Sequence, residues 1–299
     1  MIALSRFLAG MHTRTIWAWA GLLVYACAVT FPHEPVQKIV GALVDRTSRD
    51  RVYQLSVTLA LIEAVVCTAM FVRSLSRQPR RRWLIAYWIL SILLMIGTWR
   101  VFMANNTELI HFPQYFPEGI ALLAITLSPV ESLAWIALFG GLDETYQYIF
   151  LTNGRAAPLD LNDIYMDLIG GAAGIIFAMA LLRCASRSSS VESWQGSWRR
   201  VFSTPGVLVI FGILLTTMGL GAAGQVVLYE PLGVPHPHWF SLSHLLTPSF
   251  WYYNDKVLGP HHFHEMGAIE GALLILATIA LFVPLERNLT VAPRSAFEP

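Results

Sequence analysis

The chain has 299 residues, 55% of them apolar and 13% charged, with a formal net charge of +1. A water-soluble domain carries about 25% charged residues, so the composition excludes an ordinary soluble globule, and the near-neutral balance offers no field for nucleic acid. Cys27, Cys67 and Cys184 lie in or at the end of apolar segments, an odd set that supplies neither a disulfide framework nor a zinc spacing.

A membrane-crossing helix needs about 20 apolar residues. Taken in chain order, eight segments read as spans: about 14–31, 53–75, 83–104, 109–128, 131–151, 163–183, 206–228 and 266–285. The first carries Arg6, Arg14 and a small-residue ACA at 26–28, yet its apolar run continues to Phe31, which favours an uncleaved span over a signal peptide. The fourth is the weakest, because Pro113, Pro117 and Glu118 interrupt its start. Placing the N-terminus in the cytoplasm puts thirteen arginines on inside segments and seven Lys or Arg outside, and RQPRRRW at 77–83 decides most of that bias. The sequence therefore predicts an all-α, polytopic transmembrane bundle of about eight spans with both termini cytoplasmic. Its parts are a bundle over 1–184, a Ser-rich cytoplasmic linker over 185–205, and a C-terminal pair over 206–299.

The stretch 142–174 holds five carboxylates: Asp143, Glu144, Asp160, Asp163 and Asp167. Asp160 follows Pro158 and precedes Asp163 by three, the spacing of a helix N-cap. Asp163 and Asp167 fall on one helical face, and Asp167 lies one turn deeper, where a carboxylate is costly unless paired or facing a cavity. Glu144, Gln147 and Tyr148 share a face at the end of the fifth span. Gly140 and Gly141, and Gly170 and Gly174, would let the fifth and sixth spans approach closely. Arg155, in the loop between them, can fold back onto a carboxylate. In the fourth span Glu108, His111 and Tyr115 fall at i, i+3 and i+7. Glu144 and Asp163 read as a candidate acid/base pair assisted by His111. Arg155, Gln147, Asp167, Glu108 and Tyr115 read as candidate ligand-binding residues. The competing reading is an ion-pair network that pins a hairpin shut.

Together these residues resemble the VanZ-like family of multi-pass membrane proteins. The matches are Glu108, His111 and Tyr115; DETYQ at 143–147; GR at 154–155; Asp160 and Asp163; and GGAAG at 170–174. They cover about residues 105–183, and Asp167 departs from the pattern, which has Asn there. The family takes its name from a membrane protein associated with glycopeptide antibiotic resistance. The resemblance implies a multi-pass protein of the cell membrane and envelope with a polar site at the outer face, without specifying a reaction.

The segment between the last two spans carries six of the nine histidines and an aromatic run at 250–253. If a helix begins near His261, then His261, His264 and Glu265 share a face and form a candidate metal-ion site. The competing reading is an interfacial aromatic belt. Glu63 in the second span is an intramembrane carboxylate, and Glu270 begins the eighth. GLGAAG at 219–224 lacks the strand context of a dinucleotide site and reads as a helix crossing. Three functions compete: a binding protein for a membrane lipid or lipid-linked envelope component, a membrane enzyme acting on an amphipathic substrate, and an accessory subunit with a membrane-protein partner. A transporter fits less well, because no paired broken helices occur in matching halves.

Overall fold

The computed structural model describes residues 8, 11, 15–76, 78, 81–151, 159–182, 184–186, 199, 201–228, 240–242, 250–254 and 261–291. Each long apolar segment folds as an α-helix: α1 (Thr15–Thr30), α3 (Arg49–Leu75), α4 (Arg81–Val101), α5 (His111–Thr126), α6 (Pro129–Tyr146), α7 (Leu161–Leu181), α8 (Pro205–Ala222) and α9 (Ala268–Leu281). Two further helices are α2 (His33–Arg46) and α10 (Val283–Asn288). Helix α2 occupies the segment between the first two expected spans. Its apolar residues Val36, Ile39, Val40 and Leu43 recur at helical spacing, with Glu34 and Lys38 paired at 2.6 Å on another side.

Among the described residues, five stretches are long and apolar enough to cross a membrane: α3, α4, α7, α8 and Ala268–Glu286. Counting the bent α1–α2 pair makes six. Helix α5 is shorter than expected. Its 16 residues rise about 24 Å, less than the ~30 Å hydrocarbon thickness. Helix α6 carries Glu131, Asp143 and Glu144 within its 18 residues.

Helix α7 is the axis of the bundle. Every residue from Ile164 to Leu181 is buried, and apart from Asp167 and the Tyr165 hydroxyl the helix is apolar or glycine on every side. Gly170 and Gly174 face α5 rather than α6. A Cβ at Gly170 would stand 2.8 Å from the Phe112 carbonyl oxygen, and Gly174 meets the main chain of Phe116 in the same way. Gly171 meets the Ile136 side chain of α6, and its carbonyl closes on Gly119 of α5. The expected close crossing of the fifth and sixth spans is therefore a three-helix contact with α7 at its centre.

Local chemistry fixes the ends. Helix α5 stops at Leu127, in the left-handed region at φ 57°, whose N–H donates to the Leu123 carbonyl. Ser128 then caps α6 by accepting from Glu131 N at 3.2 Å, and Pro129 occupies the first turn, where no donor is needed. Glu286 of α10 accepts from the Ser128 hydroxyl at 2.9 Å and from Val130 N at 3.5 Å, beside the positive end of α6. Gln78, between α3 and α4, donates to the carbonyls of Ala180 and Leu182 at 2.8 Å each, closing the last turn of α7.

The C-terminal pair packs onto this bundle, α8 against α6 and α9 against α7 and α6. Cys184–Ser186, at the boundary with the expected linker, pairs antiparallel with Leu289–Val291. At the other end of the bundle, Tyr252–Asn254 pairs antiparallel with His261–Phe263. His261 is therefore in a strand, and the helix begins seven residues later, at Ala268.

Candidate functional site

The starts of α5 and α7 and the end of α6 meet at one end of the bundle. Asp160 caps α7, as its spacing predicts: its carboxylate accepts from Asn162 N at 2.9 Å and Asp163 N at 3.3 Å. The cap sets the phase of the helix, so Asp163 and Asp167 project on the side that receives α5. Glu108 precedes α5, in a 3-10 turn over Asn106–Ile110. It accepts from Ala104 N at 2.8 Å and from the Asn105 side chain at 2.5 Å.

His111 is the centre of the site. Its Nδ1–H donates to Asp167 Oδ1 at 2.8 Å, and its Nε2 faces Asp163 Oδ2 at 3.6 Å. The imidazole and Asp167 are buried, whereas the Asp163 side chain keeps 19% of its surface. The arrangement is graded: Asp167 is fully enclosed, His111 lies above it, and Asp163 stands at the mouth. The second Asp167 oxygen has no hydrogen-bond partner among the described residues and points at α6. A Cβ at Gly140 would stand 2.8 Å from that oxygen, so a glycine there is what admits the carboxylate. Gly141, one residue on, faces open space.

Below this lies a second layer. The Tyr115 hydroxyl, one turn into α5, donates to Asp143 Oδ2 at 3.4 Å. Glu118, in the next turn, is 1% exposed, and one of its oxygens has no hydrogen-bond partner among the described residues. The site therefore includes Asp143, which the sequence put in the carboxylate cluster without a role, and Glu118, which sequence analysis did not place in it. Glu118 stands at i+7 from His111 and i+3 from Tyr115, which is the signal that could have found it. Instead, Pro113 and Pro117 beside it suggested a broken helix, yet α5 runs through Pro117.

Glu144 is buried near the mouth and accepts from Gln147 Nε2 at 2.6 Å across a π-turn over Gln147–Leu151. The charges of Asp163, Asp160, Asp167 and Asp143 all act on it. Tyr148 leaves the expected face: its hydroxyl accepts from Ser241 N at 3.1 Å. At the rim, Glu108 is held well above the usual carboxylate range, by burial first and then by the charges of Asp163 and Asp160. Arg155, expected to fold onto the carboxylates, lies outside the described residues.

The histidine-rich segment reaches the same end through Asn162. The Asn162 amide donates to the carbonyls of Phe102 at 2.9 Å and His264 at 2.8 Å, and its oxygen accepts from Met266 N at 2.9 Å. His264 is stacked on Phe250, with ring centroids 3.9 Å apart. Its Nδ1 is 2.7 Å from the Phe250 carbonyl and its Nε2 is 2.8 Å from Glu270. Both ring nitrogens are therefore engaged by protein groups. Glu265 lies near enough to Asp160 for its charge to act there. Among the described residues no three His, Cys, Asp or Glu side chains are arranged to hold a metal ion, and the His261 side chain lies outside those residues.

Chemically, the site offers a carboxylate that orients an imidazole whose other nitrogen faces the mouth, ringed by further carboxylates. Such an arrangement can accept hydrogen bonds from hydroxyl or ammonium groups and can move a proton at Nε2. No protein-family model matches the chain, and neither a curated protein nor a solved structure matches it.

Proposed function

We propose that this chain is a multi-pass protein of the cell membrane, VanZ-like in its 105–183 region. Its Asp163–His111–Asp167 site opens at the outer face, where it binds the polar head of a lipid or lipid-linked envelope component. The observation that carries the reading is the graded burial along one line: Asp167 enclosed, His111 between, Asp163 partly exposed. A network serving only to pin helices has no need of an exposed end. The apolar surface of α3 and α8 and the arginine bias of the sequence support the membrane placement and the orientation. The carboxylate ring favours a head rich in hydroxyl or amino groups, with Arg155 available in sequence to meet a phosphate.

The test is lipid analysis of the purified protein beside Asp163→Asn and His111→Gln variants. The reading expects an amphipathic component that co-purifies with the parent protein and falls at least several-fold in both variants at equal protein recovery. Unchanged content in both variants rules the site out as its binding place.

A second reading, a membrane enzyme acting on an amphipathic substrate, is favoured by the placement of His111 Nε2 toward the mouth, the geometry of a general base oriented by a carboxylate. Its test is turnover: purified protein incubated with a total lipid extract changes the extract's mass profile, and His111→Gln does not. An extract left unchanged by the parent protein ends this reading and leaves the binding reading standing.

A further inference from the structure

A cleft of about 300 Å³ lies between α3, α4 and α5, apart from the polar site. On α3 its wall runs from Val57 to Thr68, and on α4 from Trp99 to Trp88. Each stretch rises over eleven residues, about 16 Å along the helix axis, or roughly half the ~30 Å hydrocarbon thickness of a bilayer. The two helices run antiparallel, and the Trp88 indole donates to the Thr68 hydroxyl at 3.3 Å, closing the deep end. At the shallow end Trp99 donates to Asn106, beside the start of α5. Phe112 and Phe116 of α5 form the third wall and belong to the same helix as His111.

The shallow mouth carries a cation. Arg100, the exposed residue after Trp99, lies with its guanidinium 5.6 Å from the Trp99 ring centre. A pocket one leaflet deep, lined almost throughout by apolar groups and headed by an aromatic–arginine pair at interfacial depth, matches a chain with a phosphate at its top.

We propose that this cleft holds one acyl chain of an outer-leaflet phospholipid, with the lipid phosphate at Arg100. The assignment rests on the membrane placement proposed above, but not on the chemistry of the His111 site. Lipid tails gain no hydrophobic energy by leaving other lipid for an apolar cleft. Selectivity therefore comes from the fit between Trp88 and Trp99 and from the phosphate contact. Glu63, the carboxyl group on the α3 wall, makes no contribution to holding an acyl chain.

The experiment is native mass spectrometry of the full chain in detergent, titrated with phosphatidylglycerol and, in parallel, with diacylglycerol. Ala60→Trp puts an indole into the cleft and is expected to lower phosphatidylglycerol binding about tenfold. Val65→Trp, on the exposed face of the same helix, is expected to leave it unchanged. Arg100→Gln is expected to weaken phosphatidylglycerol about tenfold and diacylglycerol little. Glu63→Leu is expected to bind as well as the parent or more tightly. Equal binding by Ala60→Trp and the parent overturns the proposal, as does loss of binding in Glu63→Leu, since the cleft would then be reading a polar group. A chain that stays monodisperse without detergent sinks the membrane placement itself. Detergent dependence with unchanged binding by Ala60→Trp sinks the cleft alone.

Discussion

Replacing His111 by alanine removes the group between Asp163 and Asp167. Asp167 is fully enclosed, and one of its oxygens already lacks a hydrogen-bond partner, so the His111 contact at 2.8 Å is its one strong hydrogen bond among the described residues. Breaking a buried charged contact from one side leaves the other group desolvated and uncompensated, at a cost of about 3 kcal/mol or more. In a chain of this size that lowers the thermal midpoint by about 6 °C. Removing both partners behaves differently, because a pair replaced by apolar side chains leaves no orphaned charge. His111→Leu/Asp167→Leu is therefore expected to recover most of what His111→Ala loses. The assay is the fraction of monodisperse protein in detergent after heating, for the parent, both single leucine variants and the double. The coupling in that cycle should exceed about 2 kcal/mol. Strictly additive losses would refute the pairing.

Other expectations follow from single contacts. Gly140→Ala places a Cβ 2.8 Å from Asp167 Oδ2 and should lower the thermal midpoint, whereas Gly141→Ala meets nothing within 4 Å and should leave it unchanged. Asn162→Ala deletes three hydrogen bonds that hold the 264–266 segment to Phe102 and α7, each worth about 1 kcal/mol, so hydrogen exchange at 264–268 should accelerate strongly. Glu108 has its folded pKa raised, so its charged form is the disfavoured one in the folded protein. Its penalty is absent below the ordinary carboxylate pKa and grows as pH rises toward the folded value. Glu108→Gln, which keeps an acceptor for Ala104 N, should therefore stabilise the protein at pH 7 and make little difference at pH 4. A variant that is more stable at pH 4 and not at pH 7 contradicts that sign.

How much of this was legible in the sequence depended on whether the interaction was local. The apolar segments gave the helices directly, because a stretch of that length and hydropathy folds no other way in lipid. The Asp160 cap was legible because it acts within three residues. The side of α7 that carries Asp163 and Asp167 was legible from helical periodicity, and so was the side of α5 that carries His111 and Tyr115. That the two sides meet was not legible, since nothing in either period states which helices pack together. Gly170 and Gly174 announced a close crossing without naming α5 as the partner. The eighth span, expected from about 266, begins at Ala268, whereas a helix reaching back to His261 does not form: His261–Phe263 pairs with Tyr252–Asn254 in a local hairpin that apolar periodicity did not signal. Glu118 was passed over because two prolines beside it suggested a break, although Pro113 lies in the first turn of α5, where its missing donor costs nothing.

The most direct test of the account is the accessibility of position 163 from outside the cell. In a variant lacking Cys27, Cys67 and Cys184, with Asp163→Cys introduced, a membrane-impermeant maleimide should label intact cells, and Asp167→Cys in the same background should stay unlabelled. Labelling of position 163 only after the membrane is permeabilised would place the site on the cytoplasmic side and contradict the proposed outer-face function.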